Sequence, residues 1–220
     1  MSLICACDPG DFTAEFLSSA GCQDVGVPVK LILQKTKNGS SLNTITPTDV
    51  VLEATWTDGA GGGTGLLEVS DATTCVITPI IHAGEISGGE KREYGGGNAT
   101  FGGIPLVRGS ESMDFSGEFL RLPQDVIDSL KGFMCHDGNL SAFFVHENGN
   151  LGVLVDDLAS PTTVRGIPIR SFYVGDKMFG QRDGIDKNMV SFKLEEGWSD
   201  LYRTYTPNDF DALTLQKYVA

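Results

Sequence analysis

At 220 residues with 40% hydrophobic content, the chain is long enough for one ordinary domain with a real core. Its 29 acidic against 16 basic residues give a formal net charge of −13. That balance excludes tight binding to nucleic acid or to an anionic membrane surface, since both need Lys and Arg to face phosphates. Glycine is abundant at 28 residues and strong helix formers are sparse, so a mainly β protein with many turns is expected. No apolar run approaches the roughly 20 residues that span a bilayer. The segment from Met1 to Gly10 lacks the basic region and apolar stretch of a secretory signal, so cytoplasmic synthesis is expected.

In chain order, residues 1–26 read as an N-terminal arm, broken by Asp8-Pro9-Gly10, Gly21 and Gly26. Its apolar patch of Phe12, Phe16 and Leu17 fits a short helical turn within Asp11 to Ser19. A single β-sandwich domain is expected over 27–206. Its first strand begins at Val27, with Pro28 marking a strand start or an edge and Asn38-Gly39 a turn. Asp49 to Thr57 is read as a second strand that buries Val51, Ala54 and Trp56. The glycines between Gly59 and Gly65 make a loop, because so many cannot be ordered cheaply. Thr74 to His82 is a further strand, interrupted at Pro79.

The stretch from Gly84 to Gly109 carries Gly88-Gly89, Gly95-Gly96-Gly97-Asn98 and Gly102-Gly103, with Glu85, Glu90, Lys91, Arg92 and Glu93 among them. Neither phosphate-binding glycine pattern is present in its required strand-to-helix context. The segment is read instead as a long excursion, with a hairpin around Ile86 to Ile104, that a partner orders. Gly88, Gly89, Tyr94, Gly95, Gly96, Gly97, Asn98 and Phe101 are its candidate assembly residues.

The clearest pattern runs from Phe115 to Asp157. A strand from Phe115 leads to Pro123, which opens a short flanking helix over about 123–134. Val126, Ile127, Leu130, Phe133 and Met134 form its apolar stripe, Asp125 suits the positive end of its dipole, and Gly138 is a natural stop. Two apolar runs, Leu140 to Glu147 and Leu151 to Asp156, flank Asn148-Gly149-Asn150, a strong hairpin signal. Strands are also predicted over Thr163 to Val174 and Met189 to Leu194, separated by a polar loop from Gly175 to Lys187. The tail over 207–220 has room for a short helix.

Little in the chain suggests chemistry. Cys5, Cys7 and Cys22 could supply three metal ligands, with a fourth from His82, His136, His146 or a distant cysteine, but the paired spacing of a zinc site is missing. Reduced thiols of a cytosolic protein are the expected state of all five cysteines. His146 and Glu147 are strand neighbours facing opposite ways, so they make no catalytic pair. Asp156-Asp157 and Glu195-Glu196 lack the spacing of a calcium loop and are explained by turn solvation. No catalytic residue, cofactor or metal is expected.

The order of Thr78-Pro79-Ile80-Ile81, the Gly95-Gly96-Gly97-Asn98 stretch, Leu122-Pro123-Gln124-Asp125 opening one helix before a hairpin, and the late strand Lys187-Asn188-Met189-Val190-Ser191-Phe192-Lys193-Leu194 resembles phage virion structural proteins. The organisation over 27–206 is most similar to the tail tube proteins of long-tailed phages. That resemblance implies a β-sandwich or partial barrel with a single flanking helix, stacked as hexameric rings around an acidic lumen. A long loop, here Gly84 to Gly109, and a terminal arm would reach the adjacent ring. The implied partners are copies of itself and other virion tail proteins, with DNA a transient, non-sticky passenger and no membrane. The implied location is the virion, after assembly in the host cytoplasm. Other virion roles (head–tail joining, tail termination or capsid decoration) and a β-sandwich ligand-binding module are the alternatives.

Overall fold

A computed structural model describes residues 26–37, 40–41, 45–57, 65–67, 74–95, 105–136, 138–180 and 184–216. In chain order its elements are β1 (Pro28–Lys37), β2 (Ser40–Ser41), α1 (Glu53–Trp56), β3 (Cys75–Ile77), β4 (Ile81–Gly88), β5 (Lys91–Tyr94), β6 (Leu106–Ser110) and β7 (Met113–Leu120). There follow α2 (Gln124–Gly132) with a 3-10 turn over Phe133–His136, then β8 (Leu140–His146), β9 (Leu151–Val155), β10 (Val164–Arg165), β11 (Ile167–Val174), β12 (Lys187–Leu194) and β13 (Tyr202–Tyr205). The fold is mainly β, sandwich-like and antiparallel, with no closed barrel among the described residues. Pro28 is the first residue of its strand, where a missing N–H costs no ladder bond.

The hairpin of β8 and β9 is the centre of this architecture. Near its turn the strands pair directly, Phe144 opposite Gly152 and Val145 opposite Leu151. Away from the turn they part. β10 then pairs with the far end of β9, and β11 with the start of β8, Ile167 facing Ala142. The sheet therefore forks at β8. One branch runs β8-β11-β12-β7-β4, and the other holds β9, β10 and β13, while β1 covers the remaining edge of β8.

Every residue of β8 and β9 is buried, because each strand has an apolar core on both faces. Leu140, Ala142 and Phe144 enter one core with Leu31 and Leu33, whereas Phe143 and Val145 enter a second with Ile32 and Val153. A one-residue slip of β8 would exchange all of these side chains between the cores, so its register is strongly specified. Around the first core the sheet curls until β4 comes beside the start of β1. A Cβ added at Gly84 would lie 3.1 Å from the Pro28 carbonyl oxygen. Phe115 stacks on Phe192 within this core at 4.5 Å between ring centroids.

Helix α2 closes the same core. Ile127 and Leu130 are buried and Val126, Phe133 and Met134 pack partly against it, one stripe at helical spacing. Nine residues are too few for a stable isolated helix, so this one exists because it docks. Its ends agree with the dipole, Asp125 lying in the first turn and Lys131 in the last. Gly138, at φ +78°, turns the chain back toward β8.

The strand expected over Asp49 to Thr57 is not formed. Thr46 donates its hydroxyl to the Asp49 carboxylate at 2.7 Å, Val50 N–H returns to the Thr46 carbonyl, and the chain enters α1 instead. Side chains of Thr and Asp flanking Pro47 offer the backbone a turn that outcompetes the ladder. Of the expected buried set only Trp56 is fully buried, edge-on to Phe143 at 5.2 Å and donating its indole N–H to Val50 O. Ala54 is exposed and Val51 only partly buried, while Val50 takes the core position. Residues 208–216 form turns, with Ala212 and Leu215 buried in the second core.

Candidate assembly surfaces

The excursion anticipated between Gly84 and Gly109 divides into two parts. Its first residues belong to β4, which pairs with β7 from Ile81 opposite Phe119 to Gly88 opposite Met113. Beyond that point β5 and β6 pair only with each other, as a separate two-stranded sheet. The hairpin thus lies outside the strand that carries Ile86, beginning at Lys91. Gly88 at φ +94° and Gly89 at φ +77° make the bend between β4 and β5. Other residues adopt such values only with strain, which explains why two glycines are needed there.

Among the described residues, β5 and β6 pair with no other strand. Tyr94, Leu106 and Val107 are 51%, 59% and 64% exposed. Tyr94 sits opposite Leu106, and the Arg108 guanidinium lies 4.3 Å over the Tyr94 ring, a cation–π contact that occupies one side of the ribbon. Lys91 and Glu93 pair at 2.5 Å. A two-stranded ribbon without a core is marginal in water, and exposed apolar groups on it mark a contact surface. Its base is held more firmly. Ser110 N–H donates to Glu196 Oε1 at 3.1 Å, Glu111 N–H to Glu90 O at 2.7 Å, and Trp198 N–H to Met113 Sδ at 3.0 Å. Of the candidate assembly residues, Gly88 and Gly89 lie at the bend, Tyr94 ends β5 and Gly95 follows it. Gly96, Gly97, Asn98 and Phe101 lie outside the described residues, as do Cys5, Cys7, Cys22 and residues 1–25 of the arm.

Among the described residues β4 is hydrogen-bonded to no strand besides β7, and at Gly84 it lies against the start of β1. The outward face of β7 and β12 is charge-balanced by Lys187–Glu118 at 2.6 Å and Lys193–Asp114 at 3.6 Å. Arg170 and Glu195 pair at 2.5 Å beside it.

A second set of exposed apolar residues lies partly on the expected strands, at Tyr173 and Met189, and partly in the loop from Gly175 to Lys187 that the sequence presents as polar. Tyr173, Met178, Phe179, Ile185 and Met189 are exposed on β11, the following loop and β12, with Phe179 81% exposed. Met178 bridges to Lys187, which places it on the same outward face as Met189. The usable signal was Met178-Phe179 and Ile185 set between glycines.

His146, Lys30 and Asp156 each have structural partners inside the domain. His146 is buried between the Gly26 carbonyl and the Tyr202 hydroxyl, and burial lowers its pKa from the ordinary imidazole value while raising that of Tyr202. Lys30 Nζ donates to Leu213 O at 2.5 Å and Leu215 O at 3.3 Å, fastening the C-terminal segment over the second core, and burial lowers its pKa. The Asp156 carboxylate accepts from Thr162 and from the Thr163 N–H, which hold its pKa well below the usual carboxylate range. That network explains Asp156-Asp157 as turn chemistry. Among the described residues no three His, Cys, Asp or Glu side chains are grouped to hold a metal. A cleft of about 100 Å³ beside Thr36, Leu140, Pro168 and the Arg170–Glu195 pair is well below the roughly 300 Å³ of an ordinary ligand pocket.

No family model matches the chain, and no curated protein matches its sequence. Among solved structures, a chain from the virion of a native gene transfer agent particle superposes with a TM-score of 0.34 at 12% identity, over 52% of this chain and 79% of that one. A chain of the anti-feeding prophage baseplate superposes with a TM-score of 0.32 at 8% identity, over 89% of this chain and 100% of that one. Superpositions this loose carry no functional conclusion.

Proposed function

We propose that this chain is a virion structural subunit, a tail tube protein whose copies stack as hexameric rings around a lumen that conducts DNA. The carrying observation is the β5–β6 ribbon. It leaves the domain at a glycine bend, has no core of its own, and presents Tyr94, Leu106 and Val107 to solvent. A partner surface would complete it. The order of sequence elements described above and the sandwich with α2 on one flank support the same reading. The net charge of −13 supports it too, because an acidic wall repels a polyanion within about 8–10 Å at physiological salt and keeps the passage free of sticky contacts. The subunit is non-catalytic, assembles in the host cytoplasm and ends in the virion.

Excision tests the ribbon directly. Glu90 and Glu111 already face each other through a main-chain hydrogen bond, so residues 91–110 can be replaced by an Asn-Gly turn. The shortened chain is expected to melt within a few degrees of the parent and to stay monomeric at concentrations where the parent sediments as larger species. Equal assembly by the two chains would contradict the role given to the ribbon.

A further inference from the structure

The turn between β8 and β9 carries chemistry as well as shape. Asparagine followed by glycine reacts with itself, because glycine has no side chain to keep its nitrogen from the neighbouring carboxamide. Asn148 is exposed and stands directly before Gly149. In that reaction the Gly149 nitrogen gives up its proton and attacks Cγ of Asn148. A nitrogen–carbon bond forms, the Cγ–Nδ2 bond breaks, and ammonia leaves with the proton. Water then opens the cyclic imide on one side to give aspartate, or on the other to give isoaspartate.

The fold opposes the first step. Gly149 N–H is committed to the His146 carbonyl at 2.9 Å, so removing its proton costs that bond. Asn148 Oδ1 accepts from Asn150 N–H at 3.2 Å, which holds the carboxamide on Asn150. The isoaspartyl product is mismatched as well. It adds one main-chain atom between His146 and Asn150, where His146 N–H closes the hairpin on the Asn150 carbonyl at 2.9 Å. Turn length sets the register of the strands it joins, and a slip of β8 would exchange its side chains between the two cores. The imidazole of His146 also links Gly26 to Tyr202, so a shift of its main chain is felt there too.

We propose that Asn148 is a self-modification site gated by folding. The open chain deamidates there and the closed hairpin does not, and the isoaspartyl product is shut out of the fold. Water is the only co-reactant. Aspartate keeps the main-chain length and is itself favoured before glycine in such a turn, so chain length and not charge makes the exclusion.

Peptide mapping by mass spectrometry tests this on the full chain, held at one pH and temperature with and without guanidinium chloride. Conversion at Asn148 is expected to be at least about tenfold faster in the denatured chain. The other Asn-Gly pair, Asn38-Gly39, gives the rate of an open pair in that same denatured sample. After the denaturant is removed, isoaspartate at this position is expected to be depleted from the protease-resistant fraction, while Asn148→Asp refolds like the parent. Equal conversion with and without denaturant would overturn the gating. Isoaspartate spread evenly between folded and unfolded fractions, or Asn148→Asp that fails to refold, would overturn the exclusion by chain length.

Discussion

Tyr202 donates its hydroxyl hydrogen to Nε2 of His146 across 2.5 Å, and the other ring nitrogen lies 3.1 Å from the Gly26 carbonyl. The carbonyl can only accept, so Nδ1 carries the proton and Nε2 is the acceptor. The pair ties the start of the domain to the β8–β9 hairpin and to β13. Gly152 is part of the arrangement, since a Cβ there would stand 2.1 Å from the Tyr202 hydroxyl oxygen.

Stability is therefore expected to depend on pH through His146. Burial lowers its pKa in the fold below the ordinary 6.5. As pH falls below about 6.5, the unfolded chain takes up a proton that the folded chain resists, and stability declines until the folded pKa is passed. Each unit of depression is about 1.4 kcal/mol. Denaturant unfolding at a series of pH values should show a shallower decline for His146→Gln than for the parent. Parallel curves would contradict the neutral, buried pair. Tyr202→Phe should cost about 1–3 kcal/mol at neutral pH, because it leaves a buried acceptor without its donor.

Leu130→Ala should cost about 2–5 kcal/mol, the range for a cavity opened in a packed core. Leu130 is buried where α2 meets the first core. Thermal melting that hardly moves would mean that the helix contributes no packing there.

Lys30→Met keeps the aliphatic stem and removes the ammonium that binds Leu213 O and Leu215 O. Burial penalises that charge, so global stability should change little, since the lost hydrogen bonds are offset by relief of desolvation. The local effect should be larger. Amide exchange over 211–216 is expected to rise at least tenfold while exchange in β8 stays unchanged. Uniform acceleration across the domain would show that the segment is not separately fastened.

The elements legible in the sequence were those whose signals are local. Asn148-Gly149-Asn150 between two apolar runs announced β8 and β9, and Gly149 adopts φ +80° as such a turn requires. The stripe of Val126, Ile127, Leu130 and Phe133 announced α2. Other features depend on residues far apart in the chain. Tyr202–Tyr205 is only four residues long and becomes a strand by pairing with β9. Gly166 allows β10 and β11 to fill the fork by passing close to Ser141, where a Cβ would lie 2.8 Å from its hydroxyl oxygen. Such pairings leave no periodic mark. The glycines showed that an excursion exists, but its starting point depended on where β4 stops pairing with β7. Phe179 carries no local signal, since the glycines and charges around it give the loop a polar character.

The proposed function depends most on the chain completing its ribbon with copies of itself. Negative-stain electron microscopy of the purified protein over a range of concentrations tests that directly. Rings with six-fold symmetry that stack into tubes as concentration rises are the expected result. Dispersed single particles at the highest concentration, with the amides of Tyr94 and Leu106 already protected from exchange, would contradict it.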